Sequence, residues 1–274
     1  MSRLRSTLML LVTIAALAGA VVYGWLSGWW VDRVEPRTIS TLLASGLEVF
    51  TPDGDGPFPA VVQFHGCGGV FENQRKWARG FRNAGWVAVV VDSNTPRGLF
   101  WRDVCRGRAL LGSERAGDVA VAMADVRALP FVNPERIVLA GWSHGSWSIM
   151  DLLAMDPPKE LPYNLLRMPE GGLSGLAGLV FVYPYCGFGT RADVWSRSVP
   201  ALFLMAGRDT IAPPEQCRRV ARDLREAGHD VTLETFAGAT HAFDESHATG
   251  DLVYDPKLTH RAIGRAVTFL ERLP

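Results

Sequence analysis

The stretch GWSHG, Gly141 to Gly145, sets a serine between two glycines, directly after the apolar run RIVLAG (136–141) and before SWSIMDLLAM. A serine on a sharp turn between a strand and a helix presents its hydroxyl as a nucleophile, and only glycine fits beside so crowded a turn. A hydroxyl at its free pKa attacks poorly, so an imidazole must take its proton and an acid must orient that imidazole. In this context the acid and then the histidine follow the serine along the chain. Of six histidines, His241 in FAGATHAFD comes directly after a later apolar run, VTLETF. His65 precedes the serine, His144 adjoins it, and His229 lies before the last strand; His247 and His260 read as solvated groups in a polar loop and at a helix start. Between serine and histidine, LFLMAGRDTIAPPEQ selects Asp209 as the acid, with capping of the following turn as its alternative role. Asp193 has no apolar lead-in, and Asp244 follows His241 too closely to come from a separate strand.

Attack on an acyl carbonyl also needs hydrogen-bond donors for the oxygen that becomes negative. The glycine-rich HGCGGV, after an earlier apolar run, offers the backbone N–H of Cys67, and the residue after the nucleophile, His144, offers the other. His144 as a second base is the competing reading, but a base needs an orienting partner of its own. No C-x-x-C occurs and the histidines are scattered, so neither a metal nor any other cofactor is expected.

These residues need a scaffold that delivers each at a strand end. Short apolar runs predict strands at 60–64, 86–92, 136–141, 176–183, 201–207 and 231–236, rich in Val, Leu and Phe with little polar alternation. Helical stripes fall at Glu114–Leu129, Pro214–Ala227 and Leu258–Leu273. Alternation of the two predicts an α/β chain with a mostly parallel, doubly wound sheet flanked by helices, whose ligands bind at the carboxyl ends of the strands. GLEVFTPDGDGPFP suggests antiparallel strands joined by a Gly/Pro turn. Asp156–Gly175, with four prolines, reads either as a small cap over the pocket or as an ordered surface excursion.

The ends and the charge balance set the surroundings. Arg3 and Arg5 precede an uncharged stretch from Leu8 to Val31, long enough for a membrane anchor, with Trp29 and Trp30 as interfacial aromatics. A signal segment cleaved after Ala18-Gly19-Ala20 is the alternative, and either reading exports the rest. We therefore divide the chain into an anchor or signal segment, 1–31, and one catalytic domain, 32–274. Twenty-eight basic residues balance twenty-eight acidic ones, with no basic run, so nucleic acid is not an expected partner. Four cysteines, Cys67, Cys105, Cys186 and Cys217, suit an oxidising compartment, and three pairings are open.

In order, HGCGG, DSNTPRG, GWSHG, GRDT and GATHAFD resemble the dienelactone hydrolase family of α/β-hydrolases, over roughly residues 45–272. The resemblance implies an α/β-hydrolase fold, with nucleophile, acid and base at Ser143, Asp209 and His241 and oxyanion donors at Cys67 and His144. It implies a small-molecule ester as substrate, hydrolysed through an acyl-enzyme. Authentic dienelactone hydrolases carry cysteine at the elbow and glutamate in the oxyanion loop, where this chain has Ser143 and Gly66, which turns the expectation from dienelactone toward general carboxylesters. Arg97 resembles a region that anchors substrate carboxylates, with a structural arginine as the alternative. On that fold, Cys67 with Cys105 and Cys186 with Cys217 are the pairs that topology favours. A peptidase or acyltransferase on the same machinery, and a non-catalytic binding protein, are the other readings.

Overall fold

A computed structural model describes residues 2–192 and 194–273, so Asp193 lies outside the described residues. Seven strands form one sheet: β1 (Leu47–Phe50), β2 (Phe58–Phe64), β3 (Val87–Val91), β4 (Val132–Trp142), β5 (Leu176–Val182), β6 (Ala201–Ala206) and β7 (Val231–Phe236), in the order β1-β3-β2-β4-β5-β6-β7. β1 is antiparallel to β3, and the other neighbouring strands are parallel. β3 and β6 are buried at every position, the physical source of their unbroken apolar runs. Alternate residues feed opposite faces. Val62, Phe64, Val89 and Leu139 pack with α2 (Pro36–Leu43), α5 (Gly112–Arg127), α6 (His144–Ala154) and α7 (Pro214–Glu226). Val61, Val90, Val138 and Val180 pack with α3 (Glu72–Asn83) and α8 (Pro256–Leu270). The short α4 (Trp101–Cys105) follows β3. The expected strands and the three expected helices form within a few residues of their sequence bounds.

Three expectations about the flanks are corrected or decided. GLEVFTPDGDGPFP does not make a hairpin: β1 pairs with β3, while β2 runs parallel between β3 and β4. The Asp156–Gly175 interval is an excursion and not a cap. Leu165 is fully buried in the core, Leu166 N–H donates to Val34 O at 3.0 Å, and Arg127 on α5 holds the carbonyls of Gly172 and Ser174. The stretch Leu8–Val31 is not one continuous helix. Helix α1 (Ser2–Ser27) ends where Gly28 takes a positive φ of 64° and packs against the Tyr163 ring, and Val31 N–H returns to Gly28 O at 3.0 Å. Trp30 and Val31 then line a cavity of about 350 Å³ with Arg97, Leu99 and Arg108. Among the described residues, no helix is long and apolar enough to cross a membrane, so the transmembrane span is not borne out. Leu10, Leu17, Val21 and Tyr23 of α1 are nonetheless exposed.

Candidate active site

The turn at Ser143 is built by close packing. Ser143 links β4 to α6 with φ 49° and ψ −109°, a strained conformation for a residue with a side chain. A Cβ on Gly145 would stand 2.1 Å from Phe64 O on β2, and one on Gly141 would stand 2.5 Å from the Ser146 N, so backbone crowds both sides of the serine. Ser143 N–H donates to Val182 O of β5 at 3.0 Å, and its carbonyl accepts from Trp147 at 3.1 Å, which fixes the elbow to the sheet and to the first turn of α6. Tyr183, directly after β5, and Ala242, beside His241, also have positive φ, so three of the four such side-chain-bearing residues among those described lie on these loops, Leu110 before α5 being the fourth.

The structure brings the three chemistry-bearing residues together from three loops. His241 Nε2 lies 3.0 Å from Ser143 Oγ, and His241 Nδ1 lies 2.7 Å from Asp209 Oδ2. All three residues are at least nine-tenths buried. Asp209 Oδ1 accepts from Ile211 N–H at 2.9 Å and Ala212 N–H at 2.8 Å, the capping contacts of the following turn, which leaves Oδ2 aimed at the imidazole. That arrangement places Nδ1 to donate to Asp209 and turns Nε2 toward the hydroxyl.

The glycine-rich loop lies alongside. A Cβ on Gly66 would sit 3.6 Å from Ser143 Cβ, an ordinary contact, so the backbone next to Cys67 skirts the nucleophile. Asn94 Nδ2 donates to Cys67 O at 3.1 Å, and Cys67 is bonded to Cys105 on α4, with Cα atoms 4.9 Å apart. Cys186 is bonded to Cys217 on α7, 5.2 Å between Cα atoms. These are the two pairs favoured from the resemblance. His144, as the first residue of α6, has its N–H at a helix N-terminus, where the aligned peptide dipoles favour negative charge. Its ring is not a base in waiting. Nδ1 accepts from Arg115 at 3.2 Å, and burial, then the Arg115 charge, holds the imidazole well below its ordinary pKa.

Arg97 is held by the protein's own polar groups. Nη2 pairs with buried Asp118 at 2.6 Å and Nη1 donates to Ser93 O at 2.9 Å, the contacts expected of the structural reading. Two groups central to the geometry went unassigned in the sequence. Asp244, fully buried, accepts from Trp77 Nε1 at 2.8 Å, Trp142 Nε1 at 3.0 Å, Tyr183 OH at 2.8 Å and Asn73 Nδ2 at 3.2 Å. The Tyr183 ring in turn packs on His241, 4.7 Å between centroids. Arg115 is the other, and its one sequence signal is a charge in the first turn of α5 on the stripe that continues through Val119, Ala122 and Val126.

One antiparallel edge strand on an otherwise parallel sheet, with Ser143 on a tight turn after β4 and Asp209 and His241 on the loops after β6 and β7, gives the chain the α/β-hydrolase fold. The model of the dienelactone hydrolase family matches residues 174–273, the part that holds Asp209 and His241. A curated relative, "Putative carboxymethylenebutenolidase" of Aquifex aeolicus (strain VF5), is 30% identical over 82 residues, which span 30% of this chain and 35% of that protein. Similar solved structures include a "Putative Dienelactone Hydrolase" from Klebsiella pneumoniae, with TM-score 0.65, 16% identity and coverage of 82% of this chain and 92% of that one. Thermogutta terrifontis esterase 2, phosphoramylated by tabun, has TM-score 0.64, 19% identity and coverage of 82% and 88%. At these identities the likeness is one of fold.

Proposed function

We propose that this chain is a carboxylic ester hydrolase that works through an acyl-enzyme on Ser143. The carrying observation is the continuous line from Asp209 Oδ2 through His241 to Ser143 Oγ, at 2.7 and 3.0 Å. Ser143 Oγ attacks the ester carbonyl carbon while His241 Nε2 takes its proton, and the carbonyl π pair moves onto oxygen, facing the N–H groups of Cys67 and His144. The intermediate collapses, His241 returns the proton to the leaving alcohol, and a water deprotonated by the same imidazole releases the acid. The names of the dienelactone hydrolase family and of the esterase of similar fold agree with this reading.

Several features support small, apolar carboxylesters as the substrates. Gly66 leaves space over the nucleophile. Phe71 on the oxyanion loop, Phe188 after β5 and Ile211 beside Asp209 are exposed on the loops that carry the site, and they offer apolar contact to an acyl or alcohol group. Turnover of short p-nitrophenyl esters, with peptides left intact, is the expected result; peptide cleavage with no ester turnover would replace it with a peptidase, and a folded protein inert to both with a binding role.

For location, the two disulfides support an oxidising compartment outside the cytoplasm. Attachment to a lipid surface through α1 is supported by its exposed leucines and valines, and fractionation of the full chain tests it: recovery with membranes is expected, and full recovery in the soluble fraction contradicts it.

A further inference from the structure

Arg115 on α5 has no exposed surface. Its guanidinium reaches three segments that end at the site. Nη1 donates to the His65 carbonyl at 2.8 Å and to His144 Nδ1 at 3.2 Å, and Nε donates to the Ser93 hydroxyl at 3.0 Å. The bracing continues one step out: Ser93 N–H donates to His65 Nε2 at 3.1 Å, and His65 Nδ1 lies 2.5 Å from Gly66 O. Burial, then the Arg115 charge, lowers the His65 pKa as well, so both imidazoles touching this network accept or donate as neutral rings.

No carboxylate accepts a hydrogen bond from Arg115 among the described residues. The Oδ1 of Asp118 takes Arg97 and Asn164, and Asp92 takes the amides of Asn94 and Thr95. Burial and the Arg97 charge disfavour the cation, and the nearby carboxylates of Asp118 and Asp92 offset part of that cost through space while the direct hydrogen bonds go to neutral acceptors. Its direct bonds therefore go where the two carboxylates do not reach, to the backbone and ring beside the elbow. His65 precedes Gly66-Cys67, and His144 follows Ser143, so the guanidinium grips the two segments whose peptide N–H groups would meet a tetrahedral oxygen.

We propose that Arg115 is a positioning residue for the oxyanion site: by holding the His65 carbonyl and the His144 ring it fixes the spacing of the Cys67 and His144 N–H groups, and its buried charge favours the oxygen that turns negative between them. This rests on the ester hydrolase reading above. Preorganised donors act on charge that exists only in the transition state, so loss of the brace lowers kcat and leaves ground-state binding nearly intact. A misplacement of the donors by about 1 Å is worth on the order of 100-fold in rate.

The test compares wild type with Arg115→Met, Arg115→Lys and His144→Ala. Active sites are counted by fluorophosphonate titration, and p-nitrophenyl acetate hydrolysis and inhibition by a trifluoromethyl ketone, which forms a tetrahedral anion on serine, are then measured. Arg115→Met is expected to lose roughly 10- to 100-fold in kcat per titrated site, with KM within about threefold and ketone affinity weakened in parallel with kcat. Arg115→Lys keeps the charge without the two-armed grip and should recover part of the loss. Should Arg115→Met fail to fold, Arg115→Lys and His144→Ala carry the same comparison, since the latter removes only the ring and leaves the α6 N–H. Variants that fold with kcat per site and ketone affinity within about twofold of wild type overturn the proposal and make Arg115 a brace for stability alone. A folded wild type that neither hydrolyses the ester nor labels instead removes the underlying reading.

Discussion

The indole of Trp142, the residue just before the nucleophile, donates at 3.0 Å to Asp244, three positions beyond the histidine that faces that nucleophile. The elbow and the histidine loop therefore share one buried carboxylate. Trp77 Nε1, from α3, reaches the same Oδ2 at 2.8 Å but belongs to neither loop. Trp142→Phe and Trp77→Phe should each cost about 1 to 3 kcal/mol or more by denaturant unfolding, because each removes one bond to the same oxygen and replaces a buried indole with a smaller ring. The rate separates them: kcat should fall further for Trp142→Phe. Equal effects on kcat would show that the bond across the two loops does not hold the site in register.

The glycines around Ser143 differ in what they can accept. Gly145→Ala drives a methyl group to 2.1 Å from Phe64 O, so the elbow must open, with a cost of about 1 to 3 kcal/mol or more and a near-complete loss of activity. Gly66→Ala meets only an ordinary 3.6 Å contact with Ser143 Cβ and should fold with its melting temperature nearly unchanged. Thermal melts of the two variants check the pair, and a stable, active Gly145→Ala protein would contradict the described elbow.

The Cys67–Cys105 bond closes a loop of 38 residues and ties the proposed oxyanion donor to α4. Cys67→Ser with Cys105→Ser should lose about 2 to 4 kcal/mol of stability, and activity should fall at temperatures where the chain is still folded. Ester turnover followed beside circular dichroism during mild reduction gives the same information. Full activity after confirmed reduction would mean that the loop keeps its shape without the bond.

Asp151 supplies a pH test away from the reacting groups. It accepts from Ser113 Oγ at 2.5 Å, Trp147 Nε1 at 2.8 Å and Arg191 N–H at 2.9 Å, yet burial dominates and pushes its pKa up to about 6. A carboxyl whose folded pKa exceeds its unfolded value favours the folded state when protonated. That contribution is complete below about pH 4 and is lost as pH rises through about 6. Asp151→Asn does not titrate, so its stability relative to wild type should rise between pH 4 and 7 by an amount on the order of 3 kcal/mol. A difference that stays flat across that range would show that Asp151 ionises freely.

The legible part of the site was the part written in local sequence. Ser143, Asp209 and His241 each follow an apolar run that ends at a loop, and the packing around Gly145 leaves no alternative residue type, so chain order alone pointed to all three. Arg115 and Asp244 were not legible because their partners lie far away in the chain: Arg115 meets His65 and His144 only after β2 and β4 pair, and Asp244 meets Trp77 and Trp142 only after α3 docks. The edge of the sheet failed for a similar reason. Glu48 and Val49 carry no alternation strong enough to say that β1 joins β3 instead of its neighbour in sequence. At the amino terminus, hydropathy reports apolar length but not the turn at Gly28, which depends on the distant ring of Tyr163.

The most direct measurement is fluorophosphonate labelling of the folded chain, with the modified peptide identified by mass spectrometry. One adduct on Ser143 is expected, absent in Ser143→Ala and greatly slowed in His241→Ala, because the hydroxyl attacks only when the imidazole 3.0 Å away takes its proton. A folded protein that stays unlabelled, or that carries the label on another serine while Ser143 remains free, would contradict the account.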